Sequence, residues 1–117
     1  MDVLIIDDNR DAAHSLARLL RMRGHRVSVA YSGKDAIEAA TKGPDVIILD
    51  IGLPDMDGHE VARAIRARTS SATIVALSGD GSEEDRQRAH EAGIDTYLTK
   101  PARLVDVEAA LAARSEN

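Results

Sequence analysis

The chain has 117 residues, which is enough for one domain with a single hydrophobic core, and it contains no cysteine. Disulfides and thiolate metal sites are therefore excluded, and we expect a reducing, cytoplasmic setting. A net charge of −5 repels a nucleic-acid backbone, and only two tyrosines could stack on bases, so direct nucleic-acid binding is not expected. The apolar runs fall far short of the ~20 residues of a membrane span, so we expect no membrane insertion.

Apolar runs of strand length alternate with segments of helical period, which predicts an α/β fold of five βα units with helices on both faces of a parallel sheet. The first strand, residues 3–6, is continuously apolar, as a strand covered on both faces should be. The helix after it begins near Asn9 or Asp11 and is followed by Gly24, a C-cap residue. Its apolar face comprises Ala13, Leu16, Ala17 and Leu20.

The second and third units follow the same pattern. Residues 26–30 form the second strand, and Ser32 with Asp35 resembles a capping box that opens a helix ended by Gly43-Pro44. The third strand, residues 46–49, runs into Asp50 and a long loop. The apolar positions of the two helices are Ala36, Ile37 and Ala40, then Val61, Ala62 and Ile65.

The fourth and fifth units complete the sheet. Residues 73–77 form a strand that stops at Ser78, and Ser82 with Asp85 again resembles a capping box. The helix over residues 83–92 offers only alanines as apolar residues, so we expect it to be weakly attached to the core. The fifth strand is residues 96–98, and the last helix presents Leu104, Val107 and Leu111.

Polar residues follow four of the predicted strands, at the edge where sites form in open α/β sheets. They are Asp7, Asp8, Asp50, Ser78 and Lys100. Taken singly, each aspartate is more often a helix cap or turn residue, the serine a turn residue, and the lysine a solvated surface residue. Their coincidence at one edge predicts a functional site.

Three carboxylates at one edge require a cation, because two of them ~4 Å apart repel by ~4 kcal/mol at an effective dielectric of 20. Hard oxygen ligands without cysteine or histidine suit Mg²⁺, or Mn²⁺ in its place. Lys100 would then neutralise a phosphoryl group from the other side, and the Ser78 hydroxyl would donate a hydrogen bond to it.

Other catalytic patterns are missing from the sequence. His59-Glu60 lacks the second histidine of a zinc-protease helix, and His14, His25 and His90 are scattered packing or surface residues. The segment 79–81, Gly-Asp-Gly, lacks the ending of a P-loop, and no G-x-G-x-x-G follows the first strand. A nucleotide-dependent enzyme is therefore disfavoured.

The ordered set of motifs resembles the receiver domain of two-component response regulators. The resemblance spans residues 3–8 (VLIIDD), 50–58 (DIGLPDMDG), 78–79 (SG) and 97–101 (YLTKP), and thus nearly the whole chain. It implies a flavodoxin-like, doubly wound (βα)5 sandwich with strand order 2-1-3-4-5. Residues 1–117 would form a single phosphoacceptor domain.

The resemblance also implies a role for each polar residue at that edge. Asp50 would be the phosphoacceptor, and the metal would be held by Asp8, by Asp7 partly through water, and by the backbone carbonyl of Gly52. Ser78 would be the switch hydroxyl and Lys100 the phosphate-binding lysine.

The resemblance also bears on the residues around these positions. Tyr97 would move between outward and inward rotamers, and the Lys100–Pro101 peptide bond would be cis. Gly52 and Asp80 depart from common family choices, at positions that influence the lifetime of the phosphoryl group.

The resemblance implies a sensor histidine kinase or a phosphotransfer protein as phosphoryl donor, rather than a metabolic substrate. The surface of the fourth helix, fifth strand and fifth helix would bind an effector or a second copy. No effector domain is expected within the chain, which would be a stand-alone regulator or a receiver from a larger protein. A Mg²⁺-dependent phosphohydrolase using Asp50 as nucleophile and a non-phosphorylated interaction module are the alternatives.

Overall fold

The computed structural model describes residues 1–69 and 71–115, where five strands alternate with five helices. The strands are β1 (Asp2–Ile6), β2 (Arg26–Ala30), β3 (Val46–Asp50), β4 (Thr73–Ser78) and β5 (Thr96–Thr99). The helices are α1 (Arg10–Met22), α2 (Gly33–Ala40), α3 (Gly58–Arg68), α4 (Glu83–Glu91) and α5 (Leu104–Ser115). Within this described part, no helix has the length and apolarity to cross a membrane.

The five strands form one parallel sheet in the order β2-β1-β3-β4-β5, which confirms the predicted flavodoxin-like topology. From β1 the chain first adds β2 on one side and then adds β3, β4 and β5 on the other, so the strand order reverses between β1 and β3. Open α/β sheets place their sites at this point. The register sets Asp50 of β3 opposite Leu77 of β4, so Ser78 lies one residue further along the same edge.

The sheet separates two hydrophobic clusters, and this explains why residues 3–6 of β1 and 46–49 of β3 are continuously apolar. On one face Val3, Ile5 and their neighbours pack against α1 and α5. On the other face Leu4, Ile6 and their neighbours pack against α2, α3 and α4. Because successive side chains of a strand point to opposite faces, a strand buried on both sides needs apolar residues at every position.

Side-chain oxygens cap the helices where the sequence suggested. Asn9 Oδ1 accepts the amide of Ala12, and the hydroxyls of Ser32 and Ser82 accept the amides of Asp35 and Asp85 at 3.2 and 3.1 Å. These bonds satisfy amides in the first turn that have no partner within the helix.

The α4 helix differs from its prediction in one respect. Its apolar contact is small as expected, with Ala89 buried within the helix and Ala92 buried just after it. It also buries Asp85, whose carboxylate turns towards the sheet and bonds to side chains there. The Ser82 hydroxyl therefore caps the helix as a capping box requires, but the Asp85 carboxylate bonds to side chains of other elements instead.

The loop between Asp50 and α3 closes tightly at Gly58. The Gly58 amide donates to the carbonyl of Ile51 at 3.2 Å, and a Cβ on Gly58 would lie 2.6 Å from the Cα of Ile51. Backbone atoms at this distance cannot move aside, whereas the end of a flexible side chain could. A glycine is therefore required here by contact with the segment that follows Asp50.

We predict that Gly58→Ala lowers the free energy of unfolding by about 2 kcal/mol, in the range of overpacking substitutions. Urea denaturation measures the change. Gly81→Ala is the matched control, since a Cβ there would first meet Thr99 Oγ1 at 3.5 Å. Equal stability of the two variants would contradict the close approach at Gly58.

Candidate functional site

Asp50 is the last residue of β3, and its side chain is buried at the carboxyl edge of the sheet. Its Oδ1 atom accepts two hydrogen bonds, from Lys100 Nζ at 2.9 Å and from the Gly52 amide at 3.0 Å. The Lys100 amide donates to the carbonyl of Ser78 at 2.7 Å, which ties the lysine to the end of β4. The carboxylate is therefore oriented from two sides.

Asp7 and Asp8 follow β1 and lie beside Asp50. One carboxylate oxygen from each of the three residues falls within 4.8 Å of the others. The Asp7 amide continues the ladder to β2 by donating to the Ala30 carbonyl at 3.1 Å, and Asp7 Oδ1 accepts the Asn9 amide at 2.9 Å. The acidic residues that follow two different strands thus form one cluster.

The electrostatics of this cluster favour a bound cation. Burial raises the pKa of Asp7 above its usual value, and the negative charge of Asp50 raises it further, while the Asn9 amide and Lys100 act in the opposite direction. The donor set consists of carboxylate oxygens without sulfur or imidazole nitrogen, which fits a hard divalent cation such as Mg²⁺.

Ser78 is buried at the end of β4, and its hydroxyl bonds to the start of α4 and to the loop before it. Ser78 Oγ accepts the amide of Asp80 at 3.1 Å and donates to Asp85 Oδ2 at 3.3 Å. The sequence placed this serine at the correct edge. It gave no indication that the hydroxyl bonds to a carboxylate of α4.

Asp85 joins four elements of the fold. Its Oδ1 atom lies 3.0 Å from His59 Nε2 on α3, and its Oδ2 atom accepts hydrogen bonds from Ser78 on β4 and from the hydroxyl of Tyr97 on β5. Burial would raise the pKa of Asp85, but the donors Tyr97, His59 and Ser78 outweigh it and hold the pKa below its usual value. The carboxylate is therefore ionised at neutral pH.

Tyr97 is half-buried on β5, where its ring is covered by the guanidinium of Arg86 at 4.7 Å. Its hydroxyl donates to Asp85 and approaches the backbone carbonyl of Asp80. Burial and the neighbouring Asp85 carboxylate raise the pKa of this phenol, so it is a neutral donor. The Lys100–Pro101 peptide bond nearby is cis.

The sequence missed His59 and Asp85 as members of the site. In the sequence His59 suggests only an incomplete zinc-protease motif with Glu60, yet in the structure its side chain is 1% exposed. Asp85 carried a signal of a different kind, because it stood at the third position after a cap serine. Only the tertiary structure brings His59, in the first turn of α3, next to Asp85, in the first turn of α4.

A cavity of about 590 Å³ opens beside the acidic cluster, between α1 and α5. Its polar end contains Asp8, Asp50 and Lys100, and its apolar wall includes Leu16, Leu19, Leu77 and Leu104.

Comparison with known proteins identifies the family. Residues 3–112 match the family model described as the response regulator receiver domain. The chain belongs to this family. The transcriptional regulatory protein PrrA of Mycobacterium leprae is 42% identical over 112 residues, which cover 95% of this chain and 48% of PrrA. The receiver domain therefore spans about half the length of the curated relatives it matches.

Solved structures agree with this assignment. A two-component response regulator from Clostridium difficile matches with a TM-score of 0.94 and 30% identity, covering 100% of this chain and 97% of that one. A Burkholderia pseudomallei response regulator with a phosphorylated aspartic acid and a calcium ion matches at 0.89 and 32%, covering 98% and 69%. The receiver domain of the Pseudomonas aeruginosa sensor histidine kinase PA1611, with magnesium coordinated in its active-site cleft, matches at 0.88 and 28%, covering 99% and 98%.

Family membership makes this a phosphoacceptor signalling domain of two-component systems rather than a classical enzyme. The phosphohydrolase alternative is thereby set aside. The family also implies a cognate histidine kinase as partner.

The raised pKa of Asp7 leads to a prediction about stability without divalent cations. A carboxyl whose folded pKa is raised costs stability as pH rises above the usual value of 3.8, because the folded state disfavours the charge. At pH 7 with a chelator, Asp7→Asn should raise the free energy of unfolding by roughly 0.5–1 kcal/mol, the scale of a partly exposed charge contact. Chemical denaturation measures this gain.

The gain should vanish near pH 3, where Asp7 is protonated in both the folded and unfolded states. Asp11→Asn, an exposed substitution in the first turn of α1, should give no gain at either pH. A less stable Asp7→Asn protein at pH 7 would contradict the account of charge repulsion.

Proposed function

We propose that residues 1–117 act as one cytoplasmic receiver domain that accepts a phosphoryl group on Asp50. The donor is a phosphohistidine of a sensor histidine kinase or of a phosphotransfer protein. The observation that carries this proposal is the buried Asp50 carboxylate, bonded to Lys100 and lying within the acidic cluster.

The chemistry asks the protein for positioning and charge neutralisation. The Gly52 amide and Lys100 hold Oδ1 of Asp50, and Oδ2 is the attacking atom in our proposal. The new O–P bond forms as the N–P bond of the donor breaks, and the donor imidazole keeps the electron pair. Lys100 then neutralises the phosphoryl oxygens, and the Ser78 hydroxyl donates to one of them.

Asp7, Asp8, Asp50 and the backbone carbonyl of Gly52 are the residues that would hold Mg²⁺, or Mn²⁺ in its place. When bound, the metal would supply positive charge to offset that of the phosphoryl oxygens. Burial and the charge of Asp50 raise the pKa of Asp7, so the folded protein disfavours the negative charge on this carboxyl. A bound cation would offset that cost, which supports a metal site here.

Two surfaces suit the partners of this function. The cavity between α1 and α5 gives the phosphoryl donor an apolar path to Asp50. The face made by α4, β5 and α5 would bind an effector or a second copy of the domain, and these elements contain the exposed residues Arg86 and Val105. Tyr97 lies on the strand between the two helices and would report the state of Asp50 to that face.

Incubation with acetyl phosphate and Mg²⁺ should add one phosphoryl group to the chain, detected by intact-protein mass spectrometry. Asp50→Asn should reduce labelling at least ~100-fold, because it removes the attacking oxygen and retains the shape of the side chain. A chelator should suppress labelling of the wild type as well.

Asp45→Asn is the matched control for this experiment. Asp45 precedes the amino end of β3, the same strand that ends in Asp50, and its substitution should leave labelling unchanged. Undiminished labelling of Asp50→Asn, or full labelling in the presence of chelator, would contradict the proposal.

A further inference from the structure

The hydroxyl of Ser78 has one proton, and the structure shows where it goes. Ser78 Oγ accepts the Asp80 amide, so its own proton is directed at Asp85 Oδ2, 3.3 Å away. A phosphoryl oxygen on Asp50 could receive this hydrogen bond only if Asp85 released it. The two anions therefore compete for a single donor.

Asp85 is held in this position by His59. The Asp85 carboxylate can only accept, so the proton between them belongs to His59 Nε2, which lies 3.0 Å from Oδ1. Both side chains are at least nine-tenths buried. His59 Nδ1 is also buried and has no hydrogen-bond partner among the described residues. Because both side chains are buried, the bond from His59 fixes the Asp85 carboxylate with little competition from water.

The same cluster connects to the loop that follows Asp50. Asp57 caps α3 by accepting the His59 amide at 2.9 Å, and it pairs with Arg88 of α4 at 3.0 Å. Arg88 also lies 3.9 Å from Asp85. A change at the Asp50 loop is thus linked to the first turn of α4 by direct contacts.

We propose that Asp85, fixed by His59, is a positioning residue that holds the Ser78 hydroxyl away from Asp50 until a phosphoryl group is present. This inference rests on the proposed function of Asp50 and adds two residues to it. Asp85 is a latch for the unphosphorylated state: it binds both Ser78 and Tyr97, and Ser78 must leave it to turn towards the phosphoryl group.

The test measures the affinity for beryllofluoride, a phosphoryl mimic, in the presence of Mg²⁺. Asp85→Asn keeps the shape of the side chain and weakens the charge-assisted bond to Ser78, so it should raise the affinity about threefold to tenfold. Asp95→Asn is the matched control. Asp95 also pairs with a basic residue, Arg66 at 2.9 Å, and makes none of the contacts to Ser78, so its affinity should equal that of the wild type.

A double-mutant cycle separates this role from a structural one. In a Ser78→Ala background, Asp85→Asn should no longer change the affinity, because the hydroxyl under competition is gone. An equal effect of Asp85→Asn with and without Ser78, or no effect in the wild-type background, would overturn the latch.

A second measurement applies even if Asp85→Asn fails to fold. The carboxyl ¹³C resonance of Asp85 should shift in Ser78→Ala, because the carboxylate loses a donor, while that of Asp95 should stay in place. An unmoved Asp85 resonance would overturn the latch. Wild-type protein that binds no beryllofluoride would instead overturn the proposed function, whereas wild-type binding with unchanged Asp85→Asn affinity would overturn the latch alone.

Discussion

The concentration of negative charge at one edge of a parallel sheet is the constraint on which the site depends. Topology brings the ends of β1 and β3 together, so the backbone holds Asp7, Asp8 and Asp50 close to one another. Lys100 offsets part of this charge at 2.9 Å from Asp50, and a divalent cation would offset the rest. Repulsion among these carboxylates therefore lowers the stability of the unphosphorylated domain. Ligands that bring positive charge are favoured at this edge.

The α4 helix, which packs behind the same edge of the sheet, has an unusual composition. The helix buries Ala89 near its carboxyl end and the carboxylate of Asp85 at its amino end, and Ala92 is buried just after it. Alanines bury little apolar area, so much of the attachment of α4 near β4 comes from polar contacts of Asp85 with His59, Ser78 and Tyr97. Hydrogen bonds can exchange partners with little change in packing, which suits an element that responds to a phosphoryl group.

The sheet and its acidic edge could be predicted from the sequence because their signals are local. Continuous apolar runs at residues 3–6 and 46–49 indicate strands buried on both faces, and the aspartates directly follow them. The strand order was available only through resemblance to the receiver family, since apolar pattern alone does not fix neighbours. The partners of Asp85 could not be predicted, because they come from three elements separated from it by 7 to 26 residues. Its position three residues after a cap serine predicted a local bond within α4. In the structure the carboxylate bonds to side chains of other elements instead.

The central claim is that Asp50 itself receives the phosphoryl group, and the most direct measurement is to trap the acyl phosphate chemically. Borohydride reduces an aspartyl phosphate to homoserine, and peptide mass spectrometry then locates the modified residue. After labelling with a phosphorylated histidine donor or acetyl phosphate, the account predicts homoserine at position 50 and unmodified aspartate at positions 7 and 8. Homoserine at either of those positions, or a phosphoryl group on a serine or histidine with residue 50 unchanged, would contradict it.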